Sequence, residues 1–150
     1  METNQINTIL SFIVKDNIFA VDALQVLHIL EVPDVITKVP NTPDYMIGVI
    51  NHHGNIVPVV DMRLIMEEEI GEKEKNHSII IINPSDSQEI RFGIYVDMIS
   101  EVIEIKPEDL KETVLDSKKG MIDSYEGTIL HKNTFIHIID LKHLSQIIDN

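Results

Sequence analysis

The histidines are the residues of this sequence that could most readily do chemistry, because imidazole is a common metal ligand and a common general base near neutral pH. The chain has seven histidines, and His52 and His53 are adjacent. Adjacent strand residues point to opposite faces, and neither a helical His-x-x-x-His motif nor a cluster of histidines and carboxylates accompanies this pair. We therefore expect no metal, and we keep a small binding module with a histidine-based metal or ligand site as the alternative function.

The motifs of nucleophilic and phosphate chemistry are missing from the sequence. It has no cysteine, no glycine-rich phosphate loop and no serine-centred nucleophile elbow. Asp61 and Asp140 each open a short helical segment, where a carboxylate serves as an N-cap, and no second acid or base stands at matching spacing in both places. We predict a protein that is not an enzyme and that needs no cofactor.

Size and charge restrict the partners. The chain of 150 residues is 43% hydrophobic, which suffices for a sizeable core, and its formal net charge is −13. This charge opposes approach to nucleic acid and to anionic membranes, and no apolar run reaches the roughly 18 residues of a membrane span. We expect protein or small-molecule partners, no nucleic acid, no membrane insertion and a cytoplasmic location.

Short β-branched runs separated by turn residues predict an all-β barrel or sandwich. Helical signals are confined to 61–68, to a turn at 107–109 and to 141–148, and the polar stretch from Glu67 to His77 is the best candidate for a connector. The predicted strands are 9–14, 18–21, 25–32, 47–51, 56–60, 78–83, 90–96, 99–105, 127–131 and 134–139.

The chain is internally duplicated. Residues 48–66 align without gaps with residues 127–145, 79 positions on, and the glycine, isoleucine, histidine and aspartate of the pattern coincide. Upstream, Val26–Ile29 matches Val102–Ile105 after one slip. Each repeat is interpreted as a hairpin that runs into a capped helix, and Gly48 and Gly127 indicate a close backbone approach. Two all-β units of about 65 residues would be marginal alone, so we expect them to pack together.

The run from Gly48 to Arg63 resembles the signature of the CheW family of chemotaxis coupling proteins. It reads Gly-Val-Ile-Asn-x-x-Gly-x-Ile-Val-Pro-Val-Val-Asp-x-Arg, and the similarity extends to Ile18–Val21, to Asn41–Pro43 and to Phe92–Asp97. The resemblance implies two packed SH3-like five-stranded β-barrels. It also implies a non-enzymatic scaffold that couples the cytoplasmic tip of chemoreceptors to a CheA-type histidine kinase in membrane-associated arrays.

The resemblance also implies a domain organisation and two binding surfaces. The first barrel repeat is placed at 8–70 and the second at 77–145, with the possibility that first strands are exchanged between the barrels. A shallow apolar groove flanked by glycines is expected to receive the helical receptor tip, and an edge of the first barrel is expected to face the kinase. The receptor-binding residues are Val26, His28, Gly48, His53, Gly93, Ile99 and Val102, and the kinase-binding residues are Gly54, Asn55, Ile56 and Val57.

The chain departs from the family pattern at two positions. Where the family most often reads Asn-Leu-Arg-Gly, this chain has His53 in place of the arginine, and where a glutamate is common in the third strand it has His28. The ion pair that these positions can form in relatives is therefore missing. Two imidazoles in contact would disfavour double protonation, so the sequence predicts that acidification towards about pH 6 weakens this region or its partner contact.

Overall fold

The ten predicted strands are all present in the computed structural model, which describes residues 6–31, 36–66, 77–84, 91–113 and 120–149. The predicted connector at 67–77 lies outside the described residues except for His77. The strands are β1 (Thr8–Val14), β2 (Asn17–Asp22), β3 (Val26–Glu31), β4 (Met46–His52), β5 (Asn55–Asp61), β6 (Ser78–Ile82), β7 (Phe92–Val96), β8 (Met98–Glu104), β9 (Tyr125–His131) and β10 (Thr134–Ile139). The helices are α1 (Met62–Ile65) and α2 (Leu141–Asp149), with 3-10 turns at Ala23–Gln25 and Pro107–Asp109.

The strands form two five-stranded sheets, which confirms the predicted all-β fold of two SH3-like barrels. The first barrel has the strand order β3-β6-β7-β5-β4, and the second barrel has the order β8-β1-β2-β10-β9. Neighbouring strands are antiparallel except for the parallel pairs β5 with β7 and β10 with β2. Each barrel thus contains three strands from one sequence repeat and the first two strands of the other repeat. The ranges 8–70 and 77–145 therefore delimit the two sequence repeats, and neither range corresponds to one barrel.

The apolar side chains form one shared core and two smaller ones. The shared core joins both barrels to α2 and contains Phe12, Ile94 and Leu144, each of which is fully buried. A cluster around Ile138 fills the second barrel, and a cluster around Val59 fills the first. Because the largest core lies between the barrels, we expect the two units to unfold together.

Aspartates cap the helix that follows each hairpin, as the sequence predicts. The Asp61 side chain accepts a hydrogen bond from the Arg63 backbone amide at 2.9 Å, and the Asp140 side chain accepts one from the His143 amide at 3.2 Å. A second oxygen of Asp140 accepts a hydrogen bond from the Ser124 hydroxyl at 3.0 Å. The carboxylates are therefore used by backbone amides and neighbouring side chains, which is the work of a cap.

Candidate functional site

The β4–β5 and β9–β10 hairpins carry the same backbone irregularity in both barrels. Gly48 lies inside β4 and Gly127 inside β9, each at a bulge and each with φ of +155°. A Cβ on Gly48 would lie 2.3 Å from the Thr37 carbonyl oxygen, and one on Gly127 would lie 2.5 Å from Leu110 Cδ1. The glycines therefore admit a crossing segment that bridges to the strand, at Thr37 with Val49 and at Lys111 with Thr128.

The turn of the β4–β5 hairpin places three histidine rings together. Ring centroids are 4.2 Å apart for His52 and His53, 5.4 Å for His28 and His52, and 6.4 Å for His28 and His53. We call these three residues the histidine corner. The expectation that His52 and His53 point to opposite faces is wrong, because His53 lies in the two-residue turn with φ of +52°, where strand alternation has ended.

His52 is the central ring of this corner, and the sequence-based list of site residues omitted it. Both of its ring nitrogens are buried without a hydrogen-bond partner among the described residues. Burial lowers the pKa of His52, and the neighbouring His53, His28 and Arg91 lower it further. The corner therefore favours the uncharged imidazole at its centre.

Pairing registers identify the residues of the second barrel that correspond to this corner. The edge strands β3 and β8 each contain a bulge, so that three residues of the edge strand span the same distance as two residues of the neighbouring strand, β6 or β1. The pairs are Val26 with Ile82 and Ile29 with Ile80 in the first barrel, and Ile99 with Phe12 and Val102 with Leu10 in the second. Val26 therefore corresponds to Ile99 and His28 to Glu101, and the sequence alignment of Val26–Ile29 with Val102–Ile105 is wrong by three positions.

The corresponding place in the second barrel is occupied by Glu101, His131 and Lys132, which we call the ionic corner. A Glu101 oxygen lies 2.5 Å from His131 Nε2, and the other lies 3.3 Å from the Lys132 ammonium. These hydrogen bonds from His131 and Lys132 lower the pKa of Glu101. His131 is the repeat equivalent of His52 and Lys132 that of His53, so the two corners differ in charge while sharing a backbone.

A buried charge network links the first barrel to the start of β8. The Arg63 guanidinium lies 2.9 Å from Asp61 and 3.8 Å from Asp97, and its side chain is 12% exposed. The second carboxylate oxygen of Asp97 accepts the Lys15 backbone amide at 2.5 Å. The hydrogen bond to Asp61 raises the pKa of Arg63, so the guanidinium stays charged between the two carboxylates, where it contributes to the packing of the barrels.

The described residues do not form a metal site. No group of three or more histidines and carboxylates among them is arranged to hold a metal ion. No helix among them is long and apolar enough to cross a membrane.

A family model described as a CheW-like domain matches residues 8–148, which is most of the chain. The chain belongs to the CheW family. CheW proteins are non-enzymatic scaffold adaptors of chemotaxis, so the family confirms the prediction of a protein that is not an enzyme.

Chemotaxis proteins named CheW from several bacteria are similar to this chain. The one from Helicobacter pylori is 29% identical over 119 residues, which are 77% of this chain and 70% of that protein. The one from Bacillus subtilis is 31% identical over 132 residues, which are 86% of this chain and 80% of that protein. The crystal structure of the scaffolding protein TtCheW from Thermoanaerobacter tengcongensis has a TM-score of 0.77 at 27% identity and covers 90% of this chain and 89% of its own.

The residues that the CheW resemblance assigns to receptor binding fall into three groups. Val26 and Ile99 are half-buried against the shared core, and Val102 is 65% exposed. Gly48 and Gly93 are buried, and a Cβ on Gly93 would lie 2.8 Å from Ile79 Cγ2. These two glycines therefore allow close packing inside the first barrel and are not themselves exposed to a partner. His28 and His53 belong to the histidine corner.

The residues assigned to kinase binding lie at the tip and the start of β5. Gly54 has φ of +82° and donates its amide to the Asn51 side chain at 2.9 Å, and Ile56 is 78% exposed. Val57 is 0% exposed within the first barrel, so its side chain offers no contact to a partner. The assigned surface therefore reduces to Gly54, Asn55 and Ile56.

The second barrel carries an exposed counterpart that the sequence-based list also omitted. Phe135 is the repeat equivalent of Ile56 and is 64% exposed. It lines a groove of about 690 Å³ whose charged lining residues are Glu108, Asp109, Glu112 and Lys111. The signal was present in the duplication, because an exposed position in one copy predicts an exposed position in the other.

Proposed function

We propose that the chain couples chemoreceptors to a CheA-type histidine kinase, as a scaffold in the cytoplasm that is recruited to membrane-associated receptor arrays. Membership in the CheW family supports this role. The observation that carries it is the pair of exposed apolar positions at separate places of the double barrel, Ile56 at the β5 start and Val102 on edge strand β8. A coupling protein needs two such surfaces, because it has to hold two partners at once.

The receptor surface of this proposal follows the edge strands of the two barrels. β3 and β8 are the outer strands of their sheets, and Val26 and Ile99 occupy corresponding positions on them, beside the shared core. An amphipathic helical hairpin can bury its apolar side on a surface of this kind, formed by Val26 and Ile99. His28 lies two residues after Val26 on β3, its ring centroid is 6.4 Å from that of His53, and both exposed residues continue this surface on the side of the first barrel.

The kinase surface is the tip of the β4–β5 hairpin. Gly54, Asn55 and Ile56 are exposed there, and the turn is held by the Asn51 side chain. Because Ile56 has no core contacts to lose, its substitution separates binding from folding.

The test is a sedimentation assay with vesicles that carry a chemoreceptor and with a purified CheA-type kinase. The full chain is expected to bring the kinase into the pellet. Ile56→Asp is expected to sediment with the receptor vesicles and to leave the kinase in solution, whereas Val102→Asp is expected to leave both proteins in solution. For each variant we expect the affinity for the lost partner to fall about tenfold, which corresponds to about 1.4 kcal/mol of binding free energy.

Leu24→Asp is the matched control for both variants. Leu24 is 83% exposed, in the 3-10 turn before β3, and lies outside both proposed surfaces. This variant is expected to sediment with the kinase as the unchanged chain does. Sedimentation of the kinase that is equal for all three variants, or that occurs without the chain, would contradict the proposal.

A further inference from the structure

Because the chain is internally duplicated, the ionic corner of the second barrel can be compared directly with the histidine corner of the first. At the same backbone positions, the first barrel has His28, His52 and His53, and the second has Glu101, His131 and Lys132, in this order. The common histidine, His52 or His131, is therefore surrounded by different groups. Any difference in behaviour between the corners follows from the side chains, since the hairpin and the bulged edge strand are shared.

The ionic corner can accept a proton on its histidine with compensation. The Glu101 carboxylate lies 2.5 Å from His131 Nε2 and also holds Lys132. An added proton on His131 therefore forms an ion pair with a partner that is already in place.

The histidine corner has no such compensation among the described residues. The titratable and charged groups that act on His52 are His53 from its own hairpin, His28 from β3 and Arg91 from the residue before β7, and none of them is a carboxylate. A proton on one ring opposes a proton on the next at centroid distances of 4.2–6.4 Å. A proton taken up by the corner is consequently left without a carboxylate partner among these groups, and the lowered pKa of His52 keeps its ring uncharged at neutral pH.

We propose that the histidine corner makes receptor binding sensitive to protons, with the uncharged corner as the form that binds. This inference rests on the proposed function, because it takes the receptor hairpin to cover His28 and His53 beside Val26. Covering the corner removes water from the rings, which costs little for neutral imidazoles and much for unpaired imidazolium. Receptor affinity therefore falls as the pH falls.

The size of the effect follows from proton linkage. An imidazole of ordinary pKa, about 6.5, that has to lose its proton on binding raises the dissociation constant about fourfold between about pH 7.5 and about pH 6.0, and this is the upper limit because the contacts of His52 lower its pKa. Binding below about pH 6.5 also releases protons, and their number is measured by calorimetry in two buffers of different ionisation enthalpy.

The experiment is isothermal titration calorimetry of the full chain with a purified cytoplasmic fragment of a chemoreceptor, at constant ionic strength and at two pH values. The quantity compared is the ratio of the dissociation constants at pH 6.0 and pH 7.5, so that loss of overall affinity does not enter. The unchanged chain is expected to give a ratio of up to about four, and H28Q/H52Q/H53Q, which removes all three rings of the corner, a ratio near one. The control H131Q, which removes the histidine of the ionic corner, is expected to keep the ratio of the unchanged chain.

Three results would overturn the inference: a ratio near one for the unchanged chain, tighter binding at low pH, or an unchanged ratio in H28Q/H52Q/H53Q. Absence of binding at both pH values is a failure of the proposed function with that fragment. Histidine NMR titration of the free chain then tests, without a receptor, whether the three rings of the histidine corner influence each other's protonation. The His52 resonance is expected to titrate at lower pH than in H28Q/H53Q, and an identical titration in both proteins would overturn the coupling.

Discussion

The two barrels of this CheW protein are alike in backbone and different in side chains at their corresponding corners. Both have a hairpin with a bulged glycine, a two-residue turn at positive φ and a capped helix. The first barrel then places three imidazoles where the second places Glu101, His131 and Lys132. At these corners the two copies share the bulged glycine, the central histidine and the capping aspartate and differ in the groups around that histidine.

The same contrast holds beside the helix caps. Arg63 is nearly buried between Asp61 and Asp97, whereas its repeat equivalent, Lys142, is exposed. The Asp140 cap is completed instead by the Ser124 hydroxyl. One copy therefore pairs its capping carboxylate with a guanidinium, and the other pairs it with an uncharged hydroxyl.

The largest expected effect tests whether the two bulged glycines are equivalent. In Gly48→Ala the new Cβ meets the Thr37 carbonyl oxygen, which accepts a hydrogen bond from the Val49 amide at 2.8 Å, while the Thr37 amide donates one to the Val49 carbonyl at 3.0 Å. We expect a loss of about 4 kcal/mol or more in the free energy of unfolding. In Gly127→Ala the two nearest atoms belong to the Leu110 side chain, and the Lys111 carbonyl oxygen lies at 2.9 Å instead of the 2.3 Å at Gly48, so we expect a smaller loss of about 2 kcal/mol.

Urea unfolding followed by circular dichroism measures both variants, with the denaturant slope as a check that the transition stays two-state. Equal losses at the two glycines would show that the crossing segments constrain the barrels to the same degree. Receptor binding by Gly48→Asp carries no information on direct contact unless the variant is folded, because Gly48 is buried.

The second effect tests the charge network against its exposed counterpart. Arg63→Ala leaves the carboxylates of Asp61 and Asp97, whose side chains are 5% and 7% exposed, without their cation. We expect a loss of about 3 kcal/mol in the free energy of unfolding. Lys142→Ala removes a cation from the equivalent exposed position, and we expect a change within about 0.5 kcal/mol. Similar losses for both variants, measured by thermal unfolding at low salt, would contradict the contrast.

Sequence patterns predicted most of the fold because the relevant signals are local. β-branched runs located the ten strands, and Asp61 and Asp140 located the two helix starts. The pairing of strands from different repeats is not local, since β1 pairs with β8 about ninety residues away, as the bond between Ser11 and Glu101 shows. No pattern within either segment encodes that partner.

The site was predicted less completely for two physical reasons. Bulges in β3 and β8 shift the register in a way that alternation of apolar residues does not record, so His28 was not matched with Glu101. The positive φ of His53 turns its ring back towards His52, whereas strand alternation separates the two. The surfaces assigned to receptor and kinase stay predictions.

A third effect sharpens the comparison through the dependence of stability on pH. The lowered pKa of His52 means that the unfolded chain binds this proton more readily than the folded chain, so its contribution to stability is complete above the ordinary value of 6.5 and is lost as the pH falls below it. Burial lowers the pKa of His137 in the second barrel and acts in the same direction. The lowered pKa of Glu101 affects stability in a different pH range, because the contribution of Glu101 to stability is lost only below the ordinary value of 4.5.

Urea midpoints between pH 7.5 and pH 4 measure these windows. We expect stability to fall between about pH 7 and pH 5.5 by less than about 1.4 kcal/mol per pH unit for each proton taken up. His52→Gln is expected to flatten this part of the curve and Glu101→Gln the part below about pH 4.5. A curve that His52→Gln leaves unchanged above pH 5.5 would show that the histidine corner does not contribute.

The smallest effect concerns the exchange of one corner for the other. His28→Glu with His53→Lys gives the first barrel the groups of the ionic corner at the corresponding backbone positions. Each single change adds a charge without its partner, whereas the double change adds a pair that can form as Glu101 and Lys132 do, at 3.3 Å. Because both positions are exposed, we expect a favourable coupling of about 0.5 kcal/mol in a double-mutant cycle of unfolding. The coupling should shrink in 1 M salt, since exposed ion pairs are screened. A coupling of zero at low salt would mean that the shared backbone does not suffice to build the ionic corner, and that the remaining difference lies in Arg91, which stands beside His52.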